Sequence, residues 1–320
     1  MKLLIRYSFL LLIMAVGASA QTRPQQSMYM FNVMLINPAG TGLEDYGQLR
    51  AGVRQQWRGV SGAPATFWAS ADMRAGKDNR NTDGAAISKG HGIGASIFYD
   101  KIGPYATANV NLAYAYHLPL SSSLALSAGF SGGLQQTRYD RSSGIYPDQA
   151  GDPATMSQAA ASRKYLPDLN AGLLLNGNRF FAGLALTQLA GAEFVNAPKA
   201  ESSLKQQFIG SLGYRFPFGE SGSGLWLSGM AKSDFTAPVR YDFNAKARYQ
   251  DLLWLAANYR LNDAIGAGFG CNPTQRIVFG YQYEWGIGNQ VSIYSKGSHE
   301  VFIGLKFLKD GQSSRPKMGW

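Results

Sequence analysis

The sequence predicts an all-β chain, a transmembrane antiparallel β-barrel of about fourteen strands with an N-terminal periplasmic segment. Three observations carry this. The chain opens with an export signal, it is poor in charge yet has no later helical span, and it alternates apolar and polar residues with period two. Lys2 and Arg6 precede the apolar run Leu10–Val16, and Ala18-Ser19-Ala20 follows as a small-residue cleavage site. That order marks residues 1–20 as a secretory signal, with the mature chain starting at Gln21. Only 16% of the 320 residues are charged, and 38 are glycine. No stretch after the signal approaches the eighteen or so consecutive apolar residues of a membrane helix. An exported chain of this kind is either a soluble β-protein or a barrel.

Alternation separates the two. Tyr241, Phe243, Ala245, Ala247 and Tyr249 share one face of a strand, and Asp242, Asn244, Lys246 and Arg248 the other. A membrane barrel turns the first face to lipid and the second to its lumen. The aromatic residues at the ends of the run suit the two bilayer interfaces. Ala108, Val110, Leu112, Tyr114 and Tyr116 repeat the pattern, as do Ile277, Phe279, Tyr281 and Tyr283.

In order, the candidate strands are 47–58, 65–76, 91–101, 105–118, 122–138, 165–176, 179–189, 205–216, 224–234, 239–248, 251–261, 264–271, 275–284 and 298–307. Each has a length suited to a tilted barrel strand, and counts of twelve or sixteen remain compatible. The long connections 139–164, 190–204 and 285–297 all follow odd-numbered strands, which puts them outside the cell if the N-terminus is periplasmic. Even connections such as Asn176-Gly177-Asn178 and Asn272-Pro273-Thr274 are tight, as periplasmic turns should be. The polar stretch 77–90 is the exception. The closing strand alternates Val301, Ile303, Leu305 and Phe307, and a basic tail follows it. The chain therefore divides into a signal peptide (1–20), an N-terminal segment (21–46), an outer-membrane barrel (47–307) and a periplasmic tail (308–320).

Charge and chemistry narrow the function. The formal charge of +10 falls to about +8 once Lys2 and Arg6 leave with the signal. In an exported barrel this suits anionic lipid headgroups or a basic lumen rather than nucleic acid. A single cysteine, Cys271, excludes an internal disulfide framework. His91, His117 and His299 lie on separate strands without metal-ligand spacing. Ser298, His299 and Glu300 are adjacent, so they alternate faces and form no triad by themselves. Gly266-Ala267-Gly268-Phe269-Gly270 has no following helix and reads as a strand, not a phosphate loop. The residues offer no catalytic site, metal or cofactor.

Alternation turns Arg50, Arg54, Arg58, Arg74, Arg215, Lys246, Arg248, Arg260, Arg276 and Lys306 into the lumen, with Asp72, Asp242, Glu284 and Glu300 as inward acids. Asp72 is placed to pair with Arg50 and Arg54 across the first hairpin. Arg50, Arg54, Asp72, Lys246 and Arg248 are the candidate lumen charges, and a structural charge ladder is favoured over an anion pathway. Residues 21–46 hold many apolar side chains and no strand partner, so they must bury themselves somewhere. They either plug the barrel from the periplasmic side or dock on a periplasmic partner through Tyr29, Met30, Phe31, Asn32, Asn37 and Pro38.

Ser27-Met28-Tyr29-Met30-Phe31-Asn32, followed by Asn37-Pro38-Ala39 and Gly42, resembles the opening of PorP/SprF family proteins. Gln56-Trp57-Arg58-Gly59 and Gly62-Ala63-Pro64 resemble that family's first hairpin, and Asp100-Lys101-Ile102-Gly103-Pro104 its turn between the third and fourth strands. Pro167–Gly172, Phe181–Leu184, Gly280–Tyr283 and Gly297–Glu300 extend the match in order. The resemblance implies an outer-membrane barrel of the type IX secretion and gliding machinery of Bacteroidetes, assisting secretion or surface anchoring of adhesin cargo. It also implies a peptidoglycan-binding lipoprotein and translocon components as periplasmic partners, besides outer-membrane lipid. The alternatives are a solute channel and an outer-membrane lipase-type enzyme.

Overall fold

A computed structural model describes residues 28–75, 89–139, 163–190, 206–219, 222–235, 237–288 and 290–308. The signal at 1–20, the tail from Lys309 and nearly all of the connections at 77–90, 139–164 and 190–204 lie outside the described residues. Fourteen antiparallel strands close into one barrel. They are β1 (Gly47–Gln55), β2 (Ala65–Ala75), β3 (Gly90–Ile102), β4 (Tyr105–Pro119), β5 (Leu124–Tyr139), β6 (Arg163–Gly177) and β7 (Phe180–Thr187). The second half comprises β8 (Gln207–Phe218), β9 (Ser223–Ser233), β10 (Arg240–Tyr249), β11 (Leu253–Arg260), β12 (Ala264–Cys271), β13 (Ile277–Gly286) and β14 (Ser298–Phe307). Every strand expected from alternation is present, within a few residues at its ends.

Each strand pairs with its neighbours in sequence, and β1 pairs with β14, running from Gly47 opposite Phe307 to Gln55 opposite His299. Closure leaves no unpaired edge, which is what allows a sheet to cross lipid. Among the described residues, no helix is long and apolar enough to cross a membrane.

The distribution of side chains is inverted relative to a soluble protein. Leu112, Leu134, Leu212, Leu255 and Phe307 are exposed, whereas Asn109, Asn111, Asp168, Asn170, Lys246 and Glu300 are buried. Water would penalise such an exterior and lipid would not. The alternating burial along β10 places Tyr241, Phe243 and Ala247 outward and Asp242, Asn244, Lys246 and Arg248 inward.

Of the strand ends that fall short of their expected limits, two move a charge out of the lumen. β1 stops at Gln55 because Trp57 takes a positive φ of 50°. Arg58 is consequently exposed at the rim, where its backbone exchanges hydrogen bonds with Gly297 and Lys296. Arg276 precedes β13 and is likewise exposed. Cys271 ends β12 as a half-buried free thiol.

The glycine run of β12 has a packing explanation. Gly266, Gly268 and Gly270 face inward, between the side chains of β11 and β13. A Cβ on Gly268 would sit 3.0 Å from the Tyr281 carbonyl, and one on Gly266 would strike Asn258 and Glu284. Bare backbone there lets polar side chains from the flanking strands meet across β12.

The outward face gives a direct test. Leu255→Arg, on the exposed outward face of β11, should cost about 2–4 kcal/mol of folding free energy in lipid vesicles if it lies near the bilayer midplane. Denaturant titration of vesicle-inserted protein measures this.

Candidate functional site

The described part of the N-terminal segment, from Met28 to Tyr46, lies inside the barrel. It folds as three single turns of 3-10 helix, Tyr29–Phe31, Val33–Leu35 and Pro38–Gly40. The sequence sets the third turn. Proline at its first position has no N–H to lose, and the Asn37 carbonyl oxygen Oδ1 caps it by accepting from the Ala39 N–H at 3.0 Å.

The segment is tied to strands around the whole barrel. Asn32 donates to the Ser70 hydroxyl on β2 at 2.7 Å, and the Gly42 N–H donates to Asp72 at 2.9 Å. Arg74 donates to the carbonyls of Gly42 and Leu43 and pairs with Asp45 at 3.6 Å. On β4, His117 is fully buried and its Nε2 donates to the Thr41 carbonyl at 3.0 Å. Its Nδ1 meets the Ser127 hydroxyl of β5 at 2.7 Å. Asn37 donates to the carbonyls of Leu173 on β6, at 3.0 Å, and Leu184 on β7, at 3.3 Å. Asn244 of β10 donates to the Tyr29 hydroxyl at 2.5 Å. Burial raises the pKa of that phenol, keeping it neutral.

Apolar contacts fill the space between these bonds. Phe31 packs 4.4 Å from Trp254 and 5.0 Å from Phe302, ring centre to ring centre. Tyr29 and Ile36 cluster with Ala185, Ile209 and Met230, while Val33, Ala39 and Leu43 cluster with Ala125 and Leu174. The wall is bare where the segment comes closest. A Cβ on Gly92 would strike the Thr41 carbonyl, and one on Gly129 the backbone of Pro38 and Ala39.

Of the six residues predicted to dock a partner, Tyr29, Met30, Asn32, Asn37 and Pro38 are buried and Phe31 is half-buried. A partner would meet them only if the segment left the lumen. Their hydrogen bonds to separate strands are what sequence reasoning lacked, since each bridges tens to hundreds of residues.

The predicted lumen charges divide into two groups. Arg54 belongs to a continuous ladder. It meets Glu284 at 2.7 Å and Glu300 at 3.3 Å. Glu284 accepts from Asn258 at 2.9 Å and lies 3.5 Å from Arg260, which pairs with Asp242 at 2.7 Å and Asp263 at 3.2 Å. The ladder spans β14, β1, β13, β11 and β10, crossing β12 over its glycines. The expected Asp72–Arg54 pair does not form, because register places Asp72 opposite Gln48 and Arg54 opposite Thr66. Asp72 instead accepts from Gln48 Nε2 at 2.9 Å, with Arg50 acting on it electrostatically. The second group, Arg50, Lys246 and Arg248, lines a cavity beside the plug.

The histidines are not brought together. His91 is bonded to Tyr114, His117 to Ser127 and Thr41, and His299 to Tyr281. Among the described residues no group of three His, Cys, Asp or Glu side chains is arranged to hold a metal.

Two outcomes follow from these contacts. Arg54→Ala removes the guanidinium that two buried carboxylates share and should destabilise the barrel by about 3–5 kcal/mol, read by chemical denaturation. Asn37→Ala removes three hydrogen bonds from the plug and should loosen it locally by about 1–3 kcal/mol. Amide exchange within residues 28–46 should then quicken about tenfold or more, with the strands unaffected.

The geometry agrees with the comparisons to known proteins. No curated protein sequence matches the chain. The fold is similar to the toluene transporter TbuX of Ralstonia pickettii, with a TM-score of 0.50 and 10% identity over 86% of this chain and 92% of that one. It is also similar to the CymD monoaromatic hydrocarbon channel, with a TM-score of 0.51 and 11% identity over 86% and 91% of the two chains. Identities this low speak for the barrel fold alone. The profile of the type IX secretion system membrane proteins PorP/SprF matches residues 18–305. The chain is thus an outer-membrane β-barrel that belongs to the PorP/SprF family of type IX secretion system membrane proteins.

Proposed function

We propose that this barrel acts as an accessory of type IX secretion, helping a large adhesin-like cargo reach the cell surface or stay anchored there. The observation that carries this reading is the occupied lumen. A barrel whose interior is filled by residues 28–46 and crossed by an ion-paired ladder works through its rims and loops, not through a wide pore. Family membership supports association with other components of the secretion machinery.

In this reading the export signal is cut after Ala20, in a Gram-negative cell of the Bacteroidetes. The periplasmic rim, where the N-terminal segment enters β1 and β14 ends, faces a peptidoglycan-binding lipoprotein and the translocon. The rim opposite the chain ends faces outward toward cargo. Tyr29, Met30, Phe31, Asn32, Asn37 and Pro38 serve first to seat the plug, and they become a docking surface when the segment withdraws.

The test is made in the native cell. Removing the protein should abolish surface display of its adhesin cargo while uptake of small solutes is unchanged. A chain lacking residues 21–40 should still give a heat-modifiable barrel but fail to co-purify periplasmic partners. Intact cargo display together with lost solute uptake would favour a solute channel instead.

A further inference from the structure

We infer that the cavity between the plug and strands β1, β10, β11 and β14 is a binding site for an oxyanion group, phosphate or carboxylate. The cavity measures about 70 Å³ and is partly open, large enough for one small oxyanion. Its lining runs from Phe31 and Trp254 to Asn272 and Lys306, reaching the rim from which both ends of the barrel chain leave.

Four cations line it: Arg50, Lys246, Arg248 and Lys306. Glu44 is the acid on the same lining, and Asp251 pairs with Arg248 from its edge at 3.0 Å. Positive charge is therefore in excess, unlike in the ladder, where Arg54 and Arg260 face Glu284, Glu300, Asp242 and Asp263 at ion-pair distance.

Lys246 makes the imbalance acute. It is only 3% exposed and makes no hydrogen bond or ion pair among the described residues. Its ammonium lies over the rings of Phe31 at 4.7 Å and Trp226 at 5.3 Å. Ring faces attract a cation but accept none of its three N–H bonds as an oxygen would. The ammonium faces the partly open cavity with no oxygen acceptor among the described residues, so an anion entering there would meet an unpaired cation.

Two neutral donors on the same lining are also unsatisfied. Tyr46 Oη and Trp254 Nε1 are buried and have no hydrogen-bond partner among the described residues. A neutral ligand would leave the excess charge standing, and a metal cation would add to it. An oxyanion answers both the charge and the vacant donors, because each of its oxygens accepts several hydrogen bonds.

Calorimetric titration of the full mature protein in detergent micelles tests the site. One arm uses inorganic phosphate, and a second uses N-acetylglycine, whose free carboxylate mimics the end of a peptide chain. Saturable binding of one equivalent of either anion is expected, and the arm that binds identifies the source. Lys246→Met should weaken it at least tenfold and Lys306→Gln several-fold. Lys101→Gln, on an exposed part of β3, should leave it unchanged. If Lys246→Met fails to yield a heat-modifiable barrel, Lys306→Gln decides. No saturable binding in either arm, or unchanged affinity in the cavity variants, would overturn the inference.

Discussion

A closed barrel of fourteen strands has an interior wider than its own wall side chains fill, and everything else in this molecule answers to that. About eight strands is the size at which inward side chains close the core unaided. Here the remaining space is taken by the chain's own N-terminal segment. Its three short turns lie against β2, β4, β6, β7 and β10, so the segment is seated by many weak bonds instead of one strong one. Each bond satisfies a polar group that would otherwise be buried alone, and the apolar clusters around Phe31, Val33 and Ile36 exclude water between them.

The lumen is filled in two different ways. Toward the rim opposite the chain ends, side chains meet directly as a ladder, with Arg54 and Arg260 held between carboxylates. Toward the rim where the chain ends leave, the plug supplies backbone and apolar bulk. Glycines mark both solutions: β12 is bare where ladder residues cross it, and Gly92 and Gly129 are bare where the plug backbone touches the wall. The two ends carry opposite charge: the ladder sets four acids against two cations, and the cavity around Lys246 and Arg248, toward the chain-end rim, sets four cations against two acids.

The strands were legible because period-two alternation is a local property that lipid on one side and a polar lumen on the other both enforce. Lumen charges within strands, such as Arg54, Asp72, Lys246 and Arg248, followed from the same parity. Their partners did not. Arg54 meets Glu284 and Glu300 only because closure pairs β1 with β14, a contact spanning most of the chain, whereas the hairpin nearest in sequence suggested Asp72. Arg58 and Arg276 were misplaced for a smaller reason: parity says nothing about where a strand stops, and Trp57 bends the chain first. For residues 21–46 the sequence showed only apolar side chains lacking a strand partner, with plug and dock equally open. The choice of burial site rests on Asn32, Asn37 and Thr41 meeting strand groups far away in sequence.

The most direct measurement is single-channel conductance of the full mature protein in a planar bilayer, beside the same chain lacking residues 28–40. A filled lumen predicts that the full chain stays closed at moderate voltage and that the shortened chain conducts steadily. Equal, steady conductance from both would contradict the account, because the segment would then not be what occupies the barrel.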